Sequence, residues 1–241
     1  MDKERRNVIV TGASRGVGFS VAERLVAAGY CVIALARKES AQTRAAASDA
    51  FKFVPFDLSD IAAIPELVRG IKAEHGPLYA LVNNAALGTE GLLSNMHNSQ
   101  IESLIRVNTL SPIVLTKYVV RSMMTAGEGR VVNITSIIGS TGYSGLSVYG
   151  ATKASMIGFT RSLAREVGRL GVTVNAIAPG FMDTDMTSSM APDQRARIAG
   201  RSALRRLAEV QDIAAAVEYL LGAGGRNITG TVMTIDAGNT A

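Results

Sequence analysis

Short apolar runs alternate with longer amphipathic stretches along the chain. Most of the intervening windows, such as VGFSVAERLVAAG and YGATKASMIGFTRSLAREVGRL, place apolar residues at helical spacing. Strands that alternate with helices favour one parallel sheet with helices on both faces. We therefore predict a single doubly wound α/β domain over residues 1–241. The runs with the length and composition of buried strands are NVIVT (7–11), CVIALA (31–36), FKFVPF (51–56), LYALVN (78–83), RVVNIT (130–135), VTVNAIAP (172–179) and TVMTID (231–236).

The least regular part of the pattern covers residues 181–207. It is long and rich in Met, Ser, Thr and Arg, and it follows the sixth predicted strand. Long irregular connections in compact domains are often functional. We predict that this segment is mobile and covers a substrate.

Composition and charge narrow the classes of partner. Hydrophobic residues make up 47% of the 241 residues and charged residues 19%, which is typical of a folded globular chain. The net charge is +5, from 25 Lys and Arg against 20 Asp and Glu. No basic block is interleaved with aromatic residues, which argues against a nucleic-acid partner. The excess of positive charge is compatible with phosphorylated or acidic partners.

The chain lacks the usual signals for export, membrane insertion or metal binding. Cys31 is the single cysteine, so no intrachain disulfide can form and a reducing compartment is expected. The charged start of the chain has too short an apolar stretch for a signal peptide, and no run approaches the ~18 apolar residues of a membrane span. His75 and His97 lie far apart and predict no metal site. We expect a soluble cytoplasmic protein.

A glycine-rich stretch, TGASRGVG, follows the first predicted strand directly and opens a helix. Gly12 would allow a tight turn, Gly16 would let a pyrophosphate approach the backbone, and Gly18 would let the helix pack closely on the sheet. The free N–H groups at the start of the helix would bind phosphate. This context indicates a Rossmann-like dinucleotide site, although a glycine-rich structural turn is the alternative. The candidate cofactor loop also includes Ser14, Arg15 and Val17.

The end of the second predicted strand indicates which dinucleotide binds. An NAD site usually carries an acidic residue there, for the ribose 2′-hydroxyl. This strand ends in Arg37 and Lys38, and Arg15 adds a cation from the glycine loop. Guanidinium groups match the acceptors of a phosphate. We predict a 2′-phosphate pocket and NADP(H) as the cofactor; the alternative is that Arg37 and Lys38 simply end a strand in solvent.

Tyr149 and Lys153 stand four positions apart in SVYGATKAS, and Ser136 precedes them after an apolar run. On a helix, residues at this spacing share one face. A nearby ammonium favours a phenolate and would lower the tyrosine pKa, which would make Tyr149 usable as an acid or base. Taken alone, the pair is more often an incidental feature of a solvated helix. The glycine loop and Ser136 favour the catalytic interpretation.

The ordered stretches TGASRGVG, NNAA, VNITS, YGATK and APG resemble the signature of the short-chain dehydrogenase/reductase superfamily over essentially the whole chain. SLAREVGRLGVTVNAIAPGFMDTDMT and ITGTVMTIDAG resemble, more narrowly, the bacterial 3-oxoacyl-[acyl-carrier-protein] reductases. The resemblance implies catalytic roles for Ser136, Tyr149 and Lys153, and for Asn108 in holding a water beside the lysine. Read alone, Asn108 is a helix-kink or cap residue.

The resemblance also implies further contacts with the cofactor. Asp57 would read the adenine amino group, although by sequence alone it is equally well a helix N-cap. Asn83, Ala85 and Ala86, in NNAA, match the loop that supports the sheet and lines the adenine ribose. Ala86 stands where the family usually has glycine. The remaining residues implied to bind the cofactor are Leu58, Asn84, Ala85, Ala86, Pro179, Gly180 and Thr184.

The implied activity is NADPH-dependent reduction of a 3-oxoacyl thioester on an acyl carrier protein, in acyl-chain biosynthesis. A 3-oxoacyl-CoA, polyketide, sugar or cyclic-alcohol substrate remains open, as does a non-catalytic dinucleotide-binding protein. The resemblance also implies a homotetramer. Met156, Phe159 and Leu163 recur at helical spacing on the helix of Tyr149, and small residues on the neighbouring face would allow a close contact between helices. Arginines in the second half of the chain, among them Arg130 and Arg169, are candidates for docking an acidic carrier. The alternative is that they belong to ordinary solvated helix faces.

Overall fold

The seven apolar runs form seven strands, whose bounds agree with the predicted runs to within one residue. The structure is a computed structural model that describes residues 5–182 and 192–241. The strands are β1 (Asn7–Thr11), β2 (Cys31–Ala36), β3 (Phe51–Pro55), β4 (Leu78–Asn83), β5 (Gly129–Ile134), β6 (Val172–Pro179) and β7 (Val232–Ile235).

Helices connect the strands. They are α1 (Gly16–Ala27), α2 (Ala41–Ala46), α3 (Ile64–His75), α4 (Asn98–Ile105), α5 (Ser111–Ala126), α6 (Ile138–Thr141), α7 (Ser147–Val167), α8 (Pro192–Arg201) and α9 (Val210–Leu221). A π-helical turn, Arg106–Leu110, joins α4 to α5.

All seven strands are parallel and lie in the order β3-β2-β1-β4-β5-β6-β7. The order reverses between β1 and β4, and in open α/β sheets the crevice at such a switch point is where ligands bind. The loops that follow β1, β4, β5 and β6 therefore meet at one edge of the sheet. The predicted doubly wound parallel sheet in a single Rossmann-like domain is confirmed.

Separate apolar cores cover the two faces of the sheet. On one face, α1 and α9 bury side chains such as Leu25 and Val217 against Val8 and Val10. On the other face, α3, α5 and α7 pack against the alternate strand residues, with Leu81 at the centre. Burial on both faces explains why the strands read as continuous apolar runs and not as alternating ones.

The inner face of α7 belongs to the core of this chain. Met156 is 3% exposed and Leu163 is 8% exposed, and Phe159 packs beside them. The helical spacing of these residues therefore reflects packing within this chain, and the homotetramer stays a prediction. The exposed side of the helix carries small residues instead, among them Ala154 and Gly158.

The segment predicted to be irregular contains the helix α8 and a fixed turn. After α8, the N–H of Ala203 donates to the carbonyl of Gly238 and that of Leu204 to the carbonyl of Ala237, over 3.2 and 3.0 Å. Met182 and Ala208 form an isolated parallel bridge. The middle of the segment, residues 183–191, lies outside the described residues, and its covering of a substrate stays a prediction.

Within residues 5–182 and 192–241, no helix has both the length and the apolar character needed to cross a membrane. The same residues contain no cluster of three or more His, Cys, Asp or Glu side chains arranged to hold a metal ion.

Candidate active site

The glycine loop follows β1, and its three glycines have different surroundings. A Cβ on Gly12 would lie 2.9 Å from the Cα of Ala85, and one on Gly18 would lie 2.3 Å from the carbonyl oxygen of Gly12. A Cβ on Gly16 would meet no atom of the chain within 4 Å. Gly12 and Gly18 thus allow the loop to pack, whereas Gly16 leaves open space beside the start of α1.

The space at Gly16 suits a phosphate group. Gly16 has φ of +56° and is the first residue of α1, and Arg15 before it is exposed. The N-terminus of a helix offers unpaired N–H groups and the positive end of its dipole. The predicted loop residues Ser14 and Val17 flank this opening, with Val17 packed against the core. The residues therefore fit a dinucleotide pyrophosphate.

The loop after β4 is held directly against the glycine loop. Asn84 Nδ2 donates to the carbonyls of Thr11 and Gly12, over 2.9 and 3.3 Å. The backbone N–H groups of Asn84 and Ala85 both donate to Thr11 Oγ1, over 2.9 Å. Asn84 and Ala85 are thus packed against the glycine loop, and Ala86 follows them directly.

Asn83 has a different surrounding from its neighbour Asn84. It is 6% exposed, and its Nδ2 donates to Thr116 Oγ1 and Asn133 Oδ1. Asn133 Nδ2 in turn donates 2.8 Å to Thr160 Oγ1 on α7. Both threonine hydroxyls donate to carbonyls of their own helices, which fixes the direction of the whole chain of bonds. Asn83 therefore ties the strands to α5 and α7.

The end of β2 carries the predicted cations in an exposed position. Arg37 and Lys38 are both exposed, and Arg37 lies close enough to Asp57 to act on its carboxylate. The backbone N–H and the hydroxyl of Ser59 lower the pKa of Asp57, and the charge of Arg37 lowers it further. Asp57 forms an Asx turn to Ser59 and not the cap of the next helix, while Leu58 is buried in the core.

Ser136, Tyr149 and Lys153 come together at the carboxyl edge of β5. Ser136 follows that strand, and its hydroxyl lies close enough to Tyr149 to lower the pKa of that phenol; it also accepts from the N–H of Ile138 over 3.2 Å. Lys153 is 4% exposed; its Nζ donates 3.0 Å to the carbonyl of Ile134 and lies 5.5 Å from the centre of the Tyr149 ring. The i, i+4 spacing thus places both side chains beside the serine, as predicted.

The protonation states differ from the prediction. Burial raises the pKa of Tyr149, and the nearby Ser136 hydroxyl offsets only part of that rise. Burial lowers the pKa of Lys153 to about 8. The expected lowering of the tyrosine pKa by the ammonium is therefore wrong for this chain without a ligand. The reason is that both groups are shielded from water, which disfavours each charged form.

Asn108 lies in the π-helical turn and is 3% exposed. Its Oδ1 accepts from the N–H of Leu87 over 2.7 Å, and its Nδ2 donates to the carbonyl of Leu87 and to Thr152 Oγ1. The side chain therefore clamps the loop after β4 to α7, one residue before Lys153. A π turn often marks a functional site, because it re-aims one residue of a helix.

The segment after β6 lies at the same edge of the sheet as the loops that follow β1, β4 and β5. Pro179 ends the strand, and a Cβ on Gly180 would lie 2.6 Å from the Cβ of Asp236, so only glycine fits there. Thr184 lies outside the described residues. Sequence reasoning missed the contact of Phe181 with Tyr143, whose ring centres are 5.6 Å apart. The signal available in the sequence was the position of the two rings: Tyr143 lies between Ser136 and Tyr149, and Phe181 directly follows the APG motif.

The comparisons with known proteins agree with this geometry. A family model described as short chain dehydrogenase matches residues 6–195. The chain is 40% identical over 242 residues to two curated proteins named 3-oxoacyl-[acyl-carrier-protein] reductase FabG, from Salmonella typhimurium and Escherichia coli. Each match covers 99% of this chain and 98% of the relative.

Two solved structures have a similar fold. One, described as ElxO with NADP bound, has a TM-score of 0.90 and 28% identity, and the match covers 98% of both chains. The other is a short chain dehydrogenase from Burkholderia cenocepacia in complex with NADP, with a TM-score of 0.89, 32% identity and 99% of both chains covered. With the family model matched over most of its length, this chain belongs to the short-chain dehydrogenase family.

Proposed function

We propose that this chain reduces a 3-oxoacyl thioester, carried by an acyl carrier protein, to the 3-hydroxyacyl product with NADPH, in acyl-chain biosynthesis. The observation that carries the proposal is the meeting of Ser136, Tyr149 and Lys153 beside an open glycine loop. Support for the substrate comes from the FabG relatives, and support for the cofactor from the NADP in both similar structures. The basic end of β2 is consistent with the 2′-phosphate.

In this proposal the cofactor is held along the carboxyl edge of the sheet. Gly16 and the start of α1 receive the pyrophosphate, and Arg15 and Arg37 receive the 2′-phosphate. Asp57 is the partner for the adenine amino group, and Pro179 and Gly180 flank the nicotinamide. NADPH supplies a hydride to the substrate carbonyl carbon when it is bound.

The protein groups handle the proton and the developing charge. The Ser136 hydroxyl donates a hydrogen bond to the substrate carbonyl oxygen, where negative charge develops. The Tyr149 hydroxyl then gives its proton to that oxygen. A raised pKa keeps this phenol protonated near neutral pH, as reduction requires. Lys153, held by the carbonyl of Ile134, provides a source from which the phenol regains a proton.

A 3-oxoacyl-CoA or another small ketone is the alternative substrate, because Ser136 and Tyr149 act on any carbonyl placed between them. Matched acetoacetyl carrier-protein and acetoacetyl-CoA substrates, followed by NADPH consumption, distinguish the two. We expect a higher kcat/KM for the carrier-bound form. Equal or better use of the CoA form would replace the carrier proposal.

Replacing Tyr149 with Phe tests the acid role. Because the change removes the proton donor and little else, we expect kcat to fall by about 10²–10⁴-fold. Fluorescence titration of NADPH is the control and should give a nearly unchanged Kd. Activity within a few-fold of the wild type would remove Tyr149 from the acid role.

A further inference from the structure

A basic surface lies on α8 and on the turn that follows it. We define the basic turn as Arg197, Arg201, Leu204, Arg205 and Arg206, all of which are exposed. Leu204 is 60% exposed, the largest exposed fraction among the large apolar side chains of the described residues. The surface thus combines several guanidinium groups with one protruding apolar side chain.

The charge of the basic turn is not neutralised within the described chain. Residues 196–208 contain four arginines and no acidic residue, while Asp193 and Glu209 stand on either side of them. None of the ion pairs among the described residues includes Arg197, Arg201 or Arg205. Arg197 and Arg201 stand at i and i+4 on α8, where like charges repel, and Asp193 stands four residues before Arg197. A negatively charged partner would relieve the repulsion between the two arginines.

Hydrogen bonds hold the backbone of the basic turn in one conformation. Arg205 has φ of +55°, which is uncommon for a residue other than glycine, and its N–H donates 2.9 Å to the carbonyl of Ser202. The bonds of Ala203 and Leu204 to the turn of residues 236–238 hold the other side. A backbone that is already ordered loses less conformational entropy when a partner binds.

The basic turn lies on the same edge of the sheet as the candidate active site. Gly180 donates its N–H to the carbonyl of Ile235 over 2.9 Å, and the residues just after Ile235 bind Ala203 and Leu204. Ala208 bridges to Met182, which follows the APG motif. A partner on the basic turn would therefore lie close to the entrance beside Gly180.

Arg130 and Arg169, the two arginines named above from the sequence, lie elsewhere. Arg130 stands near the start of β5, six residues before Ser136, or about 20 Å at the rise of an extended strand. Its guanidinium packs over the Tyr79 ring, 5.6 Å from the centre, and donates to the carbonyl of Gly129. Arg169 also lies near that end, just before β6. Within one chain, both are at the edge opposite the site.

We propose that the basic turn is the docking surface for the acidic carrier protein that brings the acyl substrate. This proposal rests on the proposed function and adds the surface on which the carrier protein binds. Arginines around a central apolar residue suit an acidic helix, because the charges steer the encounter and Leu204 becomes the buried contact. The adjacent surface, lined by residues 206–211, is a concave cavity of about 510 Å³.

Charge reversal at the basic turn tests the proposal. We expect Arg201→Glu with Arg206→Glu to lower kcat/KM for the carrier-bound substrate at least about tenfold and to remove most of its dependence on salt. Reduction of a free 3-oxoester should stay within about twofold. The matched control is Arg69→Glu with Lys72→Glu, two exposed positions on α3 with the same change in charge. This control should leave both rates nearly unchanged.

Direct binding separates docking from turnover. Anisotropy of a fluorescently labelled apo carrier protein, measured without NADPH, should report weaker binding for the basic-turn variant and unchanged binding for the α3 control. Leu204→Ala should also weaken binding without altering its dependence on salt, since it removes no charge.

Several outcomes would overturn the docking proposal. Wild-type binding by the basic-turn variant would do so, and so would equal weakening by the α3 control. An equally large loss with acetoacetyl-CoA would assign the arginines to the CoA phosphates instead. If the wild type reduces neither the carrier-bound substrate nor the free ester, the proposed function fails. The binding measurement would then still decide whether the basic turn docks the carrier.

Discussion

At the residue scale, the burial of Lys153 has a thermodynamic consequence. Its folded pKa of about 8 lies below the ordinary value of 10.5, so the charged form is disfavoured in the folded chain. This cost is fully present below pH 8 and is relieved as the pH rises from 8 towards 10.5, because the unfolded chain then holds the extra proton.

We therefore expect the wild type to gain stability relative to Lys153→Met by about 2 kcal/mol between about pH 7 and about pH 9.5. Methionine keeps a similar length and cannot titrate. Urea unfolding of both proteins at the two pH values measures the difference, and effects shared with other titrating groups cancel. Parallel pH profiles would mean that Lys153 titrates normally.

Arg37 is the residue on which selectivity for the 2′-phosphate is expected to depend. It is exposed at the end of β2 and close to Asp57. Arg37→Asp exchanges a phosphate partner for a hydroxyl acceptor, so we expect kcat/KM to fall at least about tenfold with NADPH and to fall less or rise with NADH. Steady-state rates with both cofactors give the ratio. An unchanged ratio of NADPH to NADH use would indicate that Arg15 or Lys38 determines the selectivity instead.

At the element scale, the glycine loop separates packing from ligand binding. A methyl group on Gly18 meets the Gly12 carbonyl, so Gly18→Ala should cost about 1–3 kcal/mol of stability and lower the Tm. A methyl group on Gly16 meets no atom of the chain, and its cost is the smaller strain of a positive φ. Gly16→Ala should therefore weaken NADPH binding while lowering the Tm less than Gly18→Ala does.

Thermal unfolding and NADPH titration of the two variants test this contrast. A larger loss of stability for Gly16→Ala than for Gly18→Ala would contradict the assignment of Gly16 to the ligand side of the loop. The comparison uses the same substitution two residues apart, which limits differences in helix propensity.

At the scale of the whole molecule, we expect the homotetramer that the family resemblance implies. The face available for a close contact is the exposed side of α7, with Ala154 and Gly158, next to the exposed Ile105 and Leu110. A side chain on Gly158 meets no atom of its own chain, so Gly158→Glu should fold and yet lower the molar mass in solution.

Light scattering at micromolar concentration measures that mass. Gly70→Glu on α3 is the matched control, because Gly70 is also an exposed helical glycine with open space around it. A tetramer that survives Gly158→Glu, or a wild type that is already a monomer, would contradict this choice of interface.

The sequence determined the features that depend on local order. The continuous apolar runs predicted each strand, because the residues of a parallel strand that is covered on both faces are buried on both sides. The glycine spacing after β1 and the Tyr149–Lys153 spacing are likewise local, since one turn and one helix fix them. From these features the sequence predicted the fold, the family and the catalytic residues that we propose.

Tertiary structure decided what depends on burial and on partners distant in sequence. The pKa of Tyr149 rises because elements far apart in the chain shield it from water. Asn108 clamps Leu87 and Thr152, and Asn83 binds strands and helices, through bonds that no sequence spacing reveals. Apolar spacing on α7 could not tell a subunit contact from the chain's own core. Only the folding of α8 against the C-terminal turn placed the basic turn beside the active site, because sequence records charge but not the edge of the sheet on which it lies.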